Sequence, residues 1–525
     1  MNKLLILWVD DEIDLLRAHV VFLEAKGYQV QTANNGDDAL SLIEKSRFDL
    51  VFLDENMPGK SGLETLVEIK NKYPSIPVVM VTKSEEENLM DDAIGSKISD
   101  YLIKPVNPNQ ILLSIKKNID KKRLVSEKTT SEYLKEFQSI GMALHHNMTF
   151  EEWISVYKKL VFWELELSKS GNDGMEEIIA SQKSEANHLF SKFVQENYLD
   201  WINKAADFSP IMSHSLFKNK IYPELQDQNQ CVFLFVIDNL RYDQWKIIQP
   251  ILSEYFEVTS DELYCSLLPT ATQYCRNALF AGLLPLEIEK TFPGLWLNDS
   301  DDGGKNMHEE TFLTEQLKRL GIKGSHSYTK ITNLANGKRL VENIPNQFLN
   351  NLNVIVYNFV DMLSHARTEM EVIKELAPNE AAYRSITESW IEHSPLLGAL
   401  QRISEISKSQ PEKKVRIIIT TDHGSVRVKE ASKLVGDKNT SSNLRYKHGK
   451  SLSYSGKDVF DIGNPEKAGL PKSNLSSRYV FAKEDKYFVY PNNYNYYVNF
   501  FKNSFQHGGI SMEEMLIPFV TLRSR

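Results

Sequence analysis

Residues 231–238 read CVFLFVID: seven apolar residues in succession, stopped by an aspartate. A strand with one wet face alternates polar and apolar residues. An unbroken apolar run of this length instead belongs to a strand covered on both sides, as in a parallel sheet clothed by helices. The construction recurs along the chain. Residues 4–9 (LLILWV) run into Asp10 and Asp11, and residues 50–53 (LVFL) run into Asp54. Residues 354–357 (VIVY) precede Asp361, and residues 417–419 (III) lead through two threonines to Asp422 and His423. Between such runs lie amphipathic segments, among them 14–26, 37–45 and 62–72, with the three- and four-residue spacing of helices. The expected class is α/β with doubly wound parallel sheets, whose ligands bind in the crevice at the carboxyl ends of the strands.

A chain of 525 residues exceeds one compact domain. Residues 1–122 hold the first five strand–helix repeats. Residues 123–222 carry helical periodicity through Trp153, Val156, Tyr157, Leu160, Trp163 and Leu167, and the two tryptophans are read as core. Residues 223–525 resume the strand-rich pattern, interrupted by polar insertions at 299–305 and 436–450. The expectation is therefore an N-terminal five-stranded parallel domain, a helical connector and a larger C-terminal α/β domain. A formal net charge of −9 argues against a non-specific nucleic-acid coat or an anionic-membrane binder. Cys231, Cys265 and Cys275 are too few and too unevenly placed for a disulfide framework or a zinc knuckle. The run at 4–9 is too short and too acidically flanked for a signal peptide. No segment approaches the ~20 apolar residues of a membrane span, so a cytoplasmic protein is expected. The C-terminal half has no compact helix-turn-helix with a basic recognition helix, and direct DNA binding is not expected.

Asp10, Asp11 and Asp54 stand at the ends of the first and third expected strands. Aspartate is an ordinary turn former there. Three carboxylates meeting in one crevice, however, need a hard cation such as Mg²⁺. The fourth strand ends on Thr82 and the fifth, Tyr101-Leu102-Ile103, on Lys104. Carboxylates, a hydroxyl and an ammonium around one crevice are suited to accepting a phosphoryl group. With the stretch DENMPGKSG at 54–62, residues 1 to about 120 resemble a two-component receiver domain. The resemblance implies Asp54 as phospho-acceptor and Asp10, Asp11 and the Asn56 backbone carbonyl as partners of Mg²⁺. It also implies Thr82 and Tyr101 as switch residues and Lys104 as the phosphate-binding lysine. Lys83 departs from the small residue usual in that family, and its long side chain is expected to narrow access to Asp54.

In the C-terminal half, Asp238, Asp361, His365, Asp422, His423 and His507 all follow apolar runs. A single histidine of this kind is more often packing or surface; the set points to metal. Asp361 and His365 are four apart and share a helix face if the chain turns helical there. Mixed carboxylate and imidazole donors suit Zn²⁺ or Mn²⁺ better than Mg²⁺ or Ca²⁺, and the set suffices for two ions. The segment LLPTATQYCRN at 267–277 offers Thr270 and Thr272 at a helix start, a favourable place for phosphate. Arg276 and Asn277 follow as candidate phosphate contacts. Lys447 and His448, in the basic loop 445–450, are candidates for stacking a base and meeting a phosphate backbone, against the plainer reading of a solvated loop. Residues 225–525 resemble the PglZ branch of the alkaline phosphatase superfamily, above all in HGGISMEEMLIPFV at 507–520. The resemblance implies one zinc on Asp238, Thr272, Asp422 and His423, and a second on Asp361, His365 and His507. It makes Thr272, rather than Thr270, the nucleophile, through the pattern PTxT.

Over its full length the chain resembles PorX-type response regulators of type IX secretion and gliding. That likeness implies a sensor histidine kinase, a phosphorylation-dependent homodimer, and contact with a secretion-motor component or an extracytoplasmic-function sigma factor. The reading is a zinc-dependent phosphodiesterase acting on small cyclic or linear oligonucleotides. The alternative is a phosphorylation-gated protein-binding regulator whose metal site is structural.

Overall fold

The computed structural model describes residues 4–74, 76–83, 98–170, 173–205, 208–227, 229–299, 301–437, 440–472, 474 and 476–525. Ser300, Lys438 and Asn439, within the two expected polar insertions, lie outside the described residues. The chain forms two compact units, Met1–Lys135 with Lys169–Asn172, and Glu136–Ser168 with Asp173–Arg525.

The first unit is a five-stranded parallel sheet of β1 (Leu5–Val9), β2 (Gln29–Ala33), β3 (Leu50–Asp54), β4 (Val78–Thr82) and β5 (Asp100–Ile103), in the order β2-β1-β3-β4-β5. The period of two explains the unbroken apolar runs. Leu7, Val9, Val51 and Leu53 enter one core cluster, while Ile6, Trp8, Leu50 and Phe52 enter the other. Helices α1 (Arg17–Ala25), α2 (Gly36–Lys45) and α3 (Gly62–Lys72) supply the covering layers. Ser61 starts α3 with a reciprocal capping box to Glu64. Gly62 is required by close approach, because a Cβ there would sit 2.3 Å from the Asp54 carbonyl oxygen.

The second unit is built on a six-stranded sheet. Its strands are β6 (Gln230–Ile237), β7 (Phe256–Cys265), β8 (His326–Ile331), β9 (Leu352–Tyr357), β10 (Lys414–Thr420) and, at the C-terminus, Leu516–Ser524. β10, β6, β9 and β8 are parallel neighbours in that order. The C-terminal strand lies between β10 and β7 and pairs antiparallel with both, leaving β7 at the edge of the sheet. Smaller sheets hold the remainder of 426–506. One of their strands is Tyr446–Gly449, buried along its whole length, so the basic segment 445–450 is not a solvated loop.

Two long helices, Phe150–Ser170 and Asp173–Asn203, pack within this second unit. Trp153 is core, its ring 5.4 Å from that of Phe190, whereas Trp163 is only half-buried. The helices also carry buried charge onto the sheet domain. Glu164 accepts from Lys183 and from Arg384, each at 2.7 Å, and Lys183 reaches Glu513 at 3.2 Å. Asn187 accepts from the Met512 N–H at 2.8 Å and donates to Glu513 at 2.9 Å. The Tyr198 hydroxyl accepts from the Leu268 N–H at 2.9 Å.

Burial alone would raise the Glu164 carboxyl, but Lys183 and Arg384 hold it well below the ordinary value of 4.5. The folded state thus binds this proton less readily than the unfolded chain. The stabilisation is full above pH 4.5 and is lost as pH falls below it. Glu164→Gln is expected to cost roughly 2–3 kcal/mol at neutral pH, because two buried cations each lose one carboxylate partner, Lys183 keeping Glu513 and Arg384 keeping Asp243. Urea titrations at a series of pH values check this, the gap between wild type and variant narrowing as the solution is acidified.

Candidate functional site

In the first unit, Asp10, Asp11 and Asp54 each offer an oxygen to one cluster whose atoms all lie within 4.8 Å of one another. Lys104 Nζ stands 2.7 Å from Asp10 Oδ2 and 3.0 Å from Asp54 Oδ1. Burial pushes the Asp54 carboxyl up, against the Lys104 ammonium that would hold it down. Thr82 ends β4 and Tyr101 lies in β5, half-buried against the adjoining core. Asn56 lies two residues beyond the end of β3, with its side chain exposed. The Lys83 ammonium is drawn to Glu12 at 2.9 Å on an exposed surface.

In the second unit the six predicted acids and histidines come together as two groups. Asp238, Asp422 and His423 form one and Asp361, His365 and His507 the other, each within 4.8 Å. The topology explains the convergence. Asp238 follows β6 and Asp422 follows its parallel neighbour β10, while β9, on the other side of β6, feeds the helix Phe359–Glu369 that carries Asp361 and His365. His507 arrives differently. It follows Phe505–Gln506, a strand of a separate two-stranded ribbon paired with Val426–Arg427. The His423 and His507 rings stack with centroids 4.2 Å apart, joining the two groups. Gly424 is needed just beyond, since a Cβ there would lie 2.0 Å from the Glu513 carbonyl oxygen.

The two threonines separate clearly. Thr270 is buried; its hydroxyl accepts from Gly508 N at 2.9 Å and donates to Gly509 O at 3.0 Å. Thr272 opens the helix Thr272–Ala281, with Oγ1 at 3.0 Å from His423 Nε2 and 3.4 Å from Asp238 Oδ1. The electrostatics are frustrated in a manner that suits divalent cations. Burial and the nearby Asp238 push the Asp422 carboxyl up to about 8, and its Oδ2 accepts no hydrogen bond. Burial pushes Asp361 up to about 6 and His507 down to about 4. Burial opposes ionisation of Asp238 too, yet Arg276 and His423 keep it below the ordinary range. Neutral imidazoles and under-compensated carboxylates are the donor set of Zn²⁺ or a similar ion.

The four residues read as substrate contacts need correction: all are buried and already engaged. Arg276 bridges Asp238 Oδ2 at 2.7 Å and Glu309 Oε1 at 2.5 Å, so it holds the Asp238 carboxylate in place. Asn277 donates to the Lys305 carbonyl at 3.1 Å and accepts from Asn306 at 3.2 Å. Lys447 donates to the Ser441 carbonyl and lies 4.7 Å from the Tyr490 ring centre. His448 stacks on Tyr479, with ring centres 4.2 Å apart. Charge in a sequence does not disclose that a strand is covered on both faces.

Other participants went unassigned. Asn239, in the left-handed region at φ 64°, donates to Asp361 Oδ1 at 3.4 Å and to Ser364 at 3.3 Å. Its place directly after Asp238 was its only signal. Arg445 and Glu514, both fully buried, pair at 2.6 Å; Glu514 also accepts from Gly509 N at 2.9 Å and Ser511 at 2.8 Å. The charge of Glu514 inside MEEMLIPFV was the available clue. A cleft of about 530 Å³ opens beside the second group, lined by His365, His507, Gln273, Asp299, Tyr446 and Phe501 among others.

Comparisons with known proteins agree with this architecture. Residues 6–116 match the response regulator receiver domain, 123–202 the PorX response regulator linker domain, and 216–522 the BREX system PglZ alkaline phosphatase-like domain. The chain is 37% identical over 123 residues to the alginate biosynthesis transcriptional regulatory protein AlgB of Pseudomonas putida, covering 23% of this chain and 28% of that protein. It is 34% identical over 115 residues to the transcriptional regulatory protein ResD of Bacillus subtilis, covering 22% and 48%. The chain thus spans about a quarter to a half of the length of these two relatives. A CheY-like receiver domain from Methanospirillum hungatei JF-1 is similar at 30% identity, covering 23% of this chain and 96% of that one, with a TM-score of 0.22. Among the described residues no helix is long and apolar enough to cross a membrane. With a family match across 216–522 of its 525 residues, the chain belongs to the PglZ alkaline phosphatase-like family, joined to a receiver and a PorX-type linker in the arrangement of a PorX-type response regulator.

Proposed function

We propose that this response regulator is a zinc-dependent phosphodiesterase controlled through phosphorylation of Asp54. The observation that carries the reading is the Thr272 hydroxyl, 3.0 Å from His423 Nε2 at the edge of one three-residue group, with a second group beside it. Asp238, Asp422, His423 and Thr272 would hold one Zn²⁺, and Asp361, His365 and His507 the other. Mg²⁺ would sit on Asp10, Asp11, Asp54 and the Asn56 carbonyl. When bound, the zinc pair supplies positive charge for the phosphate oxygens and eases ionisation of the threonine.

The protein's own groups do the rest. Thr272 Oγ1 gives its proton to water and attacks phosphorus in line, the P–O bond to one ester group breaks, and the departing oxygen takes a proton from water. Water then attacks the phosphothreonine and restores the hydroxyl. Arg276 and Glu309 fix Asp238, Asn239 steadies Asp361, and the N-terminus of the Thr272–Ala281 helix favours the anionic group. A small cyclic or linear oligonucleotide is the favoured substrate. A diester is preferred because Arg276, the cation nearest this hydroxyl in sequence, is already engaged by carboxylates.

In the first unit, phosphate on Asp54 draws Thr82 and Tyr101 inward, is held by Lys104, and shifts a monomer–dimer equilibrium. A sensor histidine kinase in the cytoplasm supplies that phosphate. Output runs to a secretion-motor component or an extracytoplasmic-function sigma factor in type IX secretion and gliding. The test is a panel of nitrophenyl mono- and diesters on zinc-loaded protein, with and without beryllium fluoride, in wild type and Asp54→Asn. Diesters are expected to turn over faster, and beryllium fluoride to promote dimerisation in wild type alone. Faster monoester turnover overturns the diester assignment, and zinc-loaded protein inert toward every ester overturns the hydrolase reading.

A further inference from the structure

The helix Tyr494–Phe501, with sequence YNYYVNFF, contains no buried residue although five of its eight side chains are aromatic rings. Tyr496 is 62% exposed and Tyr497 39%. The rings are ordered by helical spacing. Tyr496 and Phe500 lie parallel with centroids 6.0 Å apart, as do Tyr497 and Phe501. Phe501 closes the series at a particular place. One part of it packs against the core around Val428 and Tyr487, and it also lines the 530 Å³ cleft that contains His365 and His507.

An aromatic track therefore runs from solvent to the second candidate metal group. Its borders are not those of a purely apolar patch. Asn492, Asn495 and Asn499 are exposed along it, and Lys374 Nζ lies 4.9 Å from the Phe500 ring centre. Flat rings interleaved with amides and flanked by an ammonium are what the face, edge and phosphate of a nucleotide each require. Stacking on such a surface tolerates any base.

We propose that this helix is the platform on which bases flanking the scissile phosphate stack, so that it selects single-stranded oligonucleotides over small esters. The proposal rests on the phosphodiesterase reading above and adds the residues that would recognise the substrate. Because Phe501 joins the track to the cleft, a base on Tyr497 and Phe501 would lead its phosphate toward His507. The strand Tyr446–Gly449, part of the candidate base contact in the sequence, is buried and leaves this role open.

The test uses the full-length zinc-loaded protein, Tyr496→Ala and Tyr497→Ala. Three probes are compared: methyl 4-nitrophenyl phosphate, a short thymidine oligonucleotide, and an oligomer of equal length with abasic positions. Wild type is expected to show a KM for the oligonucleotide roughly tenfold below that for the abasic oligomer, the scale of one stacked base. Each substitution should erase most of that difference while turnover of the nitrophenyl ester stays within about twofold. If wild type cleaves all three probes and the variants keep the preference for bases, the platform is wrong and the hydrolase reading stands. If wild type cleaves none, the hydrolase reading fails and takes the platform with it. Equal loss on all three probes in both variants overturns the proposal in favour of a structural role. Conversion of a dimer to a monomer in both variants, with cleavage unchanged, assigns the rings to contact between copies and overturns it too.

Discussion

Thr272→Ala is expected to lower phosphate-ester hydrolysis by roughly a thousandfold or more, while zinc content, fold and dimerisation stay near wild type. The large effect follows from position. Thr272 Oγ1 faces His423 Nε2 and Asp238 Oδ1, whereas the Thr270 hydroxyl is bound to Gly508 and Gly509. With the Thr272 hydroxyl removed, Asp238, Asp422 and His423 would still be within reach of the first ion, and Asp361, His365 and His507 of the second, so most of the zinc should stay in place. Steady-state kinetics with metal analysis checks this. Thr270→Ala should behave differently, losing loop order around His507 as well as rate. A protein whose metals serve only protein contacts would show no difference between wild type and Thr272→Ala in any hydrolytic assay, and unchanged turnover would favour that reading.

The second large effect is on stability. Arg445→Leu is expected to cost about 3–5 kcal/mol, because it leaves the Glu514 carboxylate buried without its cation. Glu514 also gathers the Gly509 N–H and the Ser511 hydroxyl, so the loss should spread through the loop that begins at His507. Denaturant titration should show a lower midpoint. Zinc titration should show weaker binding of the second equivalent, with the first less affected. Replacing both members by apolar residues of similar size should recover much of the stability but not the loop geometry, as expected when the unpaired charge and not the missing pair is at fault.

The central strands of both sheets were legible because unbroken apolar runs have few other homes, and the acids ending them marked the ligand-bearing edge; the order of the strands was not. Asp238 and Asp422 were grouped through the family resemblance, and the structure supplies the physical reason, since they follow neighbouring parallel strands. His507 carried no such geometric guarantee, since its ribbon lies outside the main sheet, and only the HGGISMEEMLIPFV pattern pointed to it. The antiparallel C-terminal strand looked like any other apolar run, since strand direction is set by partners hundreds of residues away. Partnering also defeated the reading of Arg276, Lys447 and His448. A cation in a sequence looks available for an anionic ligand until the carboxylate, carbonyl or ring that occupies it is known.

The bonds from Asn187 to Met512 and Glu513, and from Tyr198 to Leu268, have a consequence for dissecting the chain. The alkaline phosphatase-like module does not end where its family match begins, at residue 216. Cutting there would strip hydrogen-bonding partners from the peptide groups that frame Thr272 on one side and His507 on the other. The linker helix thus braces the two loops that carry Thr272 and His507, and a fragment lacking it is expected to hold them differently.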